Sequence, residues 1–81
     1  MTNLKAYLAA ARDLGDGALA DCKIVAPTYD EAEKKAREYF NDCLEYYEFE
    51  VVEIEPEEDE VLVEGIYYND APSNYAYHVF C

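Results

Sequence analysis

A chain of 81 residues, 52% hydrophobic and 15% aromatic with only three prolines and three glycines, is one small folded domain, which excludes a disordered tail or low-complexity linker. Nineteen Asp and Glu stand against six Lys and Arg, a formal net charge of −13, and so negative a surface is repelled by nucleic acid and by anionic membranes. No apolar run approaches the roughly 18–20 residues that span a bilayer, and residues 1–13 carry no signal-peptide pattern, so a cytoplasmic protein is expected.

Leu4–Arg12 reads as a first strand, with Leu4, Ala6 and Leu8 alternating against Lys5, Tyr7 and Ala9; the alanines at 9–11 also suit a short helix. Asp13-Leu14-Gly15-Asp16-Gly17 is turn chemistry, two glycines able to take positive φ beside aspartates that bond their own backbone. Ala18–Ala26 follows as a second strand, Ala20, Cys22 and Ile24 on one face and Asp21 and Lys23 on the other, which completes a β-hairpin.

Thr28 with Glu31 marks a capped helix start, and the helix is expected to run to about Cys43. Tyr29, Ala32, Ala36, Tyr39, Phe40 and Cys43 recur at three- and four-residue steps, a stripe that packs on a sheet. Asp30/Lys34, Glu31/Lys35 and Glu33/Arg37 are acid-to-base pairs four apart, each worth about 0.3–0.5 kcal/mol. They would neutralise half of the bases locally.

Phe49–Glu55 and Glu60–Tyr68 read as two strands joined by the acidic turn Pro56-Glu57-Glu58-Asp59. Phe49 and Val51 share one parity while Val52 and Ile54 share the other, which suggests a bulge near Val51. Asn69–Asn74 is a loop, and Tyr75–Phe80 has strand composition. The order β-β-α-β-β-(β) implies an α+β fold, an antiparallel sheet of four to five strands with one helix packed on one face, as a single domain over residues 1–81.

The charge is uneven along the chain. Residues 1–37 hold all six bases and six acids, a net of zero, whereas residues 38–81 hold thirteen acids and no Lys or Arg. Such asymmetry within one domain points to an interaction surface; the plainer reading is that acidity keeps a Tyr-rich protein soluble.

Little here suits catalysis. Cys22, Cys43 and Cys81 lack metal-ligand spacing and read as reduced thiols, Cys22 and Cys43 on buried faces. His78 is the only histidine and reads as an ordinary strand position, and Ser73 has no nucleophile-elbow context. Asp13, Asp16 and Asp21 do not fit a calcium loop, and Glu57–Glu60 reads as a solvated hairpin tip. No enzymatic activity, metal or cofactor is expected.

The acidic strand is more informative. Glu48, Glu50, Glu53 and Glu55 alternate with apolar residues, and Glu57, Glu58, Asp59, Glu60 and Glu64 continue the run. Residues two apart on a strand lie about 6.6–6.8 Å from each other on one face, close to the phosphate spacing along a nucleic-acid strand. Tyrosines are interleaved with the acids, and Tyr67 and Tyr68 join them as candidate partner-binding residues. A DNA-mimicking acidic face is one expectation; a non-enzymatic interaction module, an adaptor or toxin-neutralising protein that binds through exposed tyrosines, is the other.

In size, charge and layout the chain resembles the small, acidic, phage-encoded anti-CRISPR proteins, several of which act as double-stranded DNA mimics. Locally, Tyr7, Ala9, Asp13, Gly17, Leu19 and Ile24 fall at steps similar to the opening of ArdA-type antirestriction proteins, with Leu8 for its Val. Gly15 stands where that pattern has Asn, Asp21 where it has Gly and Lys23 where it has Trp. Either resemblance implies an inhibitor acting in the host bacterial cytoplasm. It would occupy a DNA-binding subunit of a CRISPR or restriction effector, bind no nucleic acid or membrane itself, and be a monomer or homodimer.

Overall fold

The computed structural model describes residues 3–67 and 75–80. Its elements are β1 (Lys5–Asp13), β2 (Leu19–Ala26), α1 (Tyr29–Cys43), β3 (Tyr47–Ile54), β4 (Gly65–Tyr67) and α2 (Tyr75–Phe80). The four strands form one antiparallel sheet in the order β3-β1-β2-β4, so the fold is α+β with β1 and β2 central.

The β1–β2 hairpin forms where the turn residues place it. Asp13 Oδ1 accepts the Gly15 and Asp16 amides at 2.7 and 3.1 Å, and Asp16 Oδ1 accepts the Ala18 amide at 2.9 Å. Gly17 adopts φ +80°, a left-handed conformation open to glycine at little cost. Pairing then runs from Arg12 opposite Leu19 to Lys5 opposite Ala26.

Thr28 starts α1, its Oγ1 accepting the Glu31 amide at 3.2 Å. The helix buries Ala32, Ala36 and Phe40 against Tyr7, Ala9, Ala11, Cys22, Ile24 and Val51. Alanines on both sides of that contact let helix and sheet approach closely, and Phe40 fills the end of the layer. Its ring lies 5.2 Å from Tyr39 and 6.0 Å from both Tyr47 and Phe49. Two residues of the anticipated stripe behave differently: Tyr29 and Cys43 are exposed. They lie at the helix ends, where the sheet no longer covers the stripe.

Ala6 to Ala11 are buried without interruption because β1 is covered on both faces. On the face opposite α1, α2 packs over β1 and β2, the Ala76 amide donating to Asp21 Oδ2 at 3.1 Å. The expected strand at Tyr75–Phe80 is therefore a helix, with Ala76 buried and His78 exposed on it. A six-residue run of aromatic and β-branched residues has strand propensity, but tertiary contact overrides it here.

Two further expectations change. The segments carrying β3 and β4 do not form a hairpin across the acidic turn; they occupy opposite edges, β3 beside β1 and β4 beside β2. The bulge near Val51 is absent, since pairing from Ala6–Ile54 to Asp13–Tyr47 is unbroken. The parity break that suggested it reflects apolar residues on both faces of an unbroken strand: Phe49 and Val51 turn to α1, while Val52, exposed, and Ile54 turn to the opposite face. No helix among the described residues is long and apolar enough to cross a membrane.

Candidate functional site

The unbroken register of β3 distributes its acids. Glu48 and Glu50 lie on the α2 face and Glu53 on the α1 face, while Glu55 follows the end of the strand. The one-sided ladder expected from alternation is thus divided between two faces. Glu53 stands opposite Tyr7, whose hydroxyl is pushed up by burial and then by that carboxylate.

Three of the acids are held by bases. Arg12 Nη2 reaches Glu48 Oε1 at 2.5 Å, Lys35 Nζ reaches Glu64 Oε2 at 3.3 Å, and Lys23 bonds Glu60 on the α2 face of β2. The Lys23 hydrogen bond holds Glu60 below the usual carboxylate range. Lys35 therefore serves Glu64 rather than Glu31, and of the helical pairs read from spacing only Glu33–Arg37 forms among the described residues, at 3.1 Å. Glu57 and Glu60 close a small turn in which the Glu60 amide donates to the Glu57 carbonyl at 3.0 Å.

Glu50, Glu53, Glu55, Glu57, Glu58 and Asp59 are all exposed and make no ion pair among the described residues. They lie within ten consecutive residues, along β3 and the segment that leaves it. Tyr67 is half-buried, its hydroxyl donating to the Val63 carbonyl at 2.5 Å, and Tyr68 lies outside the described residues. The most exposed described tyrosines are Tyr46 and Tyr77, at 72% and 58%.

The topology adds a feature that residue order alone did not carry: β3 is an edge strand. Along its outer side runs an open groove of about 520 Å³ lined by Tyr29, Glu33 and Arg37 of α1 and by Phe49–Val52. Arg37 is engaged there, paired with Glu33 and lying 5.7 Å over the Phe49 ring. Only strand order reveals this edge, and strand order depends on long-range pairing.

Cys22 is buried, whereas Cys43 is exposed, which corrects the expectation that both thiols face the core; Cys81, like Ser73, lies outside the described residues. Among the described residues no three His, Cys, Asp or Glu side chains gather as metal ligands. Comparison with family models, with curated proteins and with solved structures gives no match.

Proposed function

We propose that this chain is an anti-defence inhibitor of the anti-CRISPR kind, phage-encoded, that occupies the basic DNA-binding surface of a host effector complex in the bacterial cytoplasm. The observation that carries the reading is the run of six exposed carboxylates from Glu50 to Asp59, none of them in an ion pair among the described residues, in a chain whose whole net charge belongs to residues 38–81. The protein extends 41 Å along its longest axis. Duplex DNA of that length carries about 24 phosphate charges at one per 1.7 Å. A net −13 is roughly half that density. A Lys/Arg channel that releases counterions to DNA releases them to such a surface too. Because the acids wrap both faces of β3, the mimicry proposed is of charge density rather than of phosphate register.

The test is a pull-down with tagged protein from bacterial lysates carrying CRISPR or restriction systems, washed at about 0.1 M and then about 0.5 M salt. A DNA-binding effector subunit retained at low salt and lost at high salt is the expected result. Joint Glu50→Lys, Glu53→Lys and Glu55→Lys substitution should abolish its capture, and unchanged capture would overturn the reading. A second reading, an adaptor or toxin-neutralising module, draws on the exposure of Tyr46 and Tyr77. It expects a partner without a nucleic-acid role, held through both washes and lost with Tyr46→Ala and Tyr77→Ala.

A further inference from the structure

The β1–β3 ladder decides which backbone groups of β3 face outward. The Leu14 amide donates to the Tyr46 carbonyl at 2.7 Å, one step beyond the paired stretch and in the same register. Hydrogen-bonded and non-bonded pairs alternate along an antiparallel ladder. The bonded pairs are therefore Arg12–Glu48, Ala10–Glu50, Leu8–Val52 and Ala6–Ile54. The Asp13 amide, which donates across the hairpin to the Ala18 carbonyl at 2.7 Å, fits the same alternation. It follows that Tyr47, Phe49, Val51 and Glu53 turn their N–H and C=O groups to the outer edge, where no strand among the described residues pairs with them.

We propose that this outer edge of β3 binds an extended segment of a partner protein, with basic and apolar residues in alternation, as a fifth strand of the sheet. The edge offers eight residues in unbroken register, with neither a proline nor a bulge to blunt it. An added strand sends alternate side chains to each face. Those on the α1 side enter the groove over Tyr29, Phe49 and Val51, where Glu33 and Arg37 are already paired with each other, which suits apolar residues until the strand reaches Glu53 on that face. Those on the other side meet Glu50 and the exposed Val52, and Glu53 and Glu55 lie at and just past one end of the strand, so Lys or Arg suits the positions facing the three glutamates. β3 holds three glutamates and no base, so two copies paired edge to edge would gather six carboxylates along one seam with no base of either strand among them. Charge selects a basic polypeptide over a second copy. The inference stands apart from the DNA-mimic reading, which needs charge density and no strand pairing.

The test uses the intact protein and a synthetic peptide of about eight residues alternating lysine with valine, titrated by NMR. Three probes separate the outcomes: this peptide, the same peptide methylated at every backbone nitrogen, and one with glutamate in place of lysine. The first should bind and slow hydrogen exchange at the Phe49, Val51 and Glu53 amides, while the Glu48, Glu50 and Val52 amides are slow beforehand. Backbone methylation should weaken binding about tenfold or more, because it removes the ladder and leaves the charge. Equal binding of the methylated peptide, or of the glutamate peptide, overturns the proposal, as does a dimer whose exchange protection maps to the same three amides without peptide. Glu53→Pro deletes one outward amide without touching the β1 ladder. It should weaken the first peptide more than Glu53→Gln does, and equal effects would likewise overturn it.

Discussion

Arg12 and Glu48 stand directly opposite each other in the β1–β3 register, their side chains meeting at 2.5 Å on the face that α2 covers. The same guanidinium lies 5.6 Å over the ring of Phe80. One side chain on a central strand thus ties the edge strand to the C-terminal helix. This matters for the site, because β3 has one neighbouring strand among the described residues and carries the acidic run.

Replacing Arg12 removes both links. The ion pair is exposed by about two-fifths on each side, so it contributes about 0.5 kcal/mol, and the cation–π contact adds about 0.5–1 kcal/mol. Arg12→Ala is expected to cost about 1–1.5 kcal/mol and Glu48→Gln about 0.5 kcal/mol by urea denaturation. Equal costs for the two variants would mean that the Phe80 contact contributes nothing.

Phe40 makes the opposite case, an apolar anchor with no exposure. Phe40→Ala is expected to lose about 3–5 kcal/mol, the cost of an emptied aromatic site whose neighbours relax only in part. In a domain this small that is a large share of the total stability. A loss under about 1.5 kcal/mol would show that Tyr39, Tyr47 and Phe49 collapse into the space.

Much of this arrangement was legible in the chain. Thr28, the three- and four-residue spacing of Ala32, Ala36 and Phe40, and the Asp-Gly turn between β1 and β2 are local signals, and β1, β2 and α1 form within a residue or two of their expected places, whereas the strand expected over Glu60–Tyr68 is confined to Gly65–Tyr67. Non-local features were not legible. Val51-Val52 mimics a bulge because both faces of β3 receive apolar residues. The acidic run from Glu53 to Glu60 looks like a hairpin tip because sequence adjacency suggests that β3 and β4 pair, whereas each pairs with a hairpin strand instead. Tyr75–Phe80 becomes helical through the Ala76 contact with Asp21, 55 residues away in sequence. The divided acid ladder follows from the same cause: face assignment depends on register, and register is set by β1.

The two described thiols should differ sharply. Burial, then the Asp21 carboxylate and the Cys43 side chain, push the Cys22 thiol from 9 up to about 12, so it stays protonated at ordinary pH. Alkylation at about pH 8 should mark Cys43 quickly and Cys22 only as the protein unfolds, because the thiolate is the reacting species. A folded-state value raised in this way stabilises below about 9, and the contribution is lost as pH climbs towards about 12. Cys22→Val should therefore flatten the alkaline loss of stability. Rapid alkylation of Cys22 in the folded protein would contradict its burial.

Acid should act through Asp13 and Glu60. Backbone hydrogen bonds from Asp16 and Gly15 hold Asp13 below 3.8, and the Lys23 hydrogen bond holds Glu60 below 4.5. Lowered folded-state values stabilise above the unfolded ones and lose that contribution as pH falls through the folded ones. Asp13→Ala and Glu60→Gln should each be less stable than the parent near neutrality, and the gap should narrow as pH drops below about 4.5. A gap that stays constant down to about pH 2 would show that neither carboxylate senses its partners.

Salt pits two effects against each other. Screening weakens the four ion pairs among the described residues, each partly exposed and such pairs being worth about 0–1 kcal/mol. It also relieves the mutual repulsion of a net −13 held on a body measuring 41 × 22 × 16 Å. At about 0.01 M salt the screening length of about 30 Å spans most of the molecule, so every acid senses the others; at about 0.1 M it falls to about 10 Å and only near neighbours interact. Repulsion among thirteen acids without a base in residues 38–81 acts over more pairs than the four contacts do. The melting temperature is accordingly expected to rise between those two salt concentrations, and to rise less in a Glu50→Gln, Glu53→Gln, Glu55→Gln variant. A melting temperature that falls with salt would show that the four ion pairs outweigh the repulsion, and that the acidic surface is internally compensated rather than held ready for a basic partner.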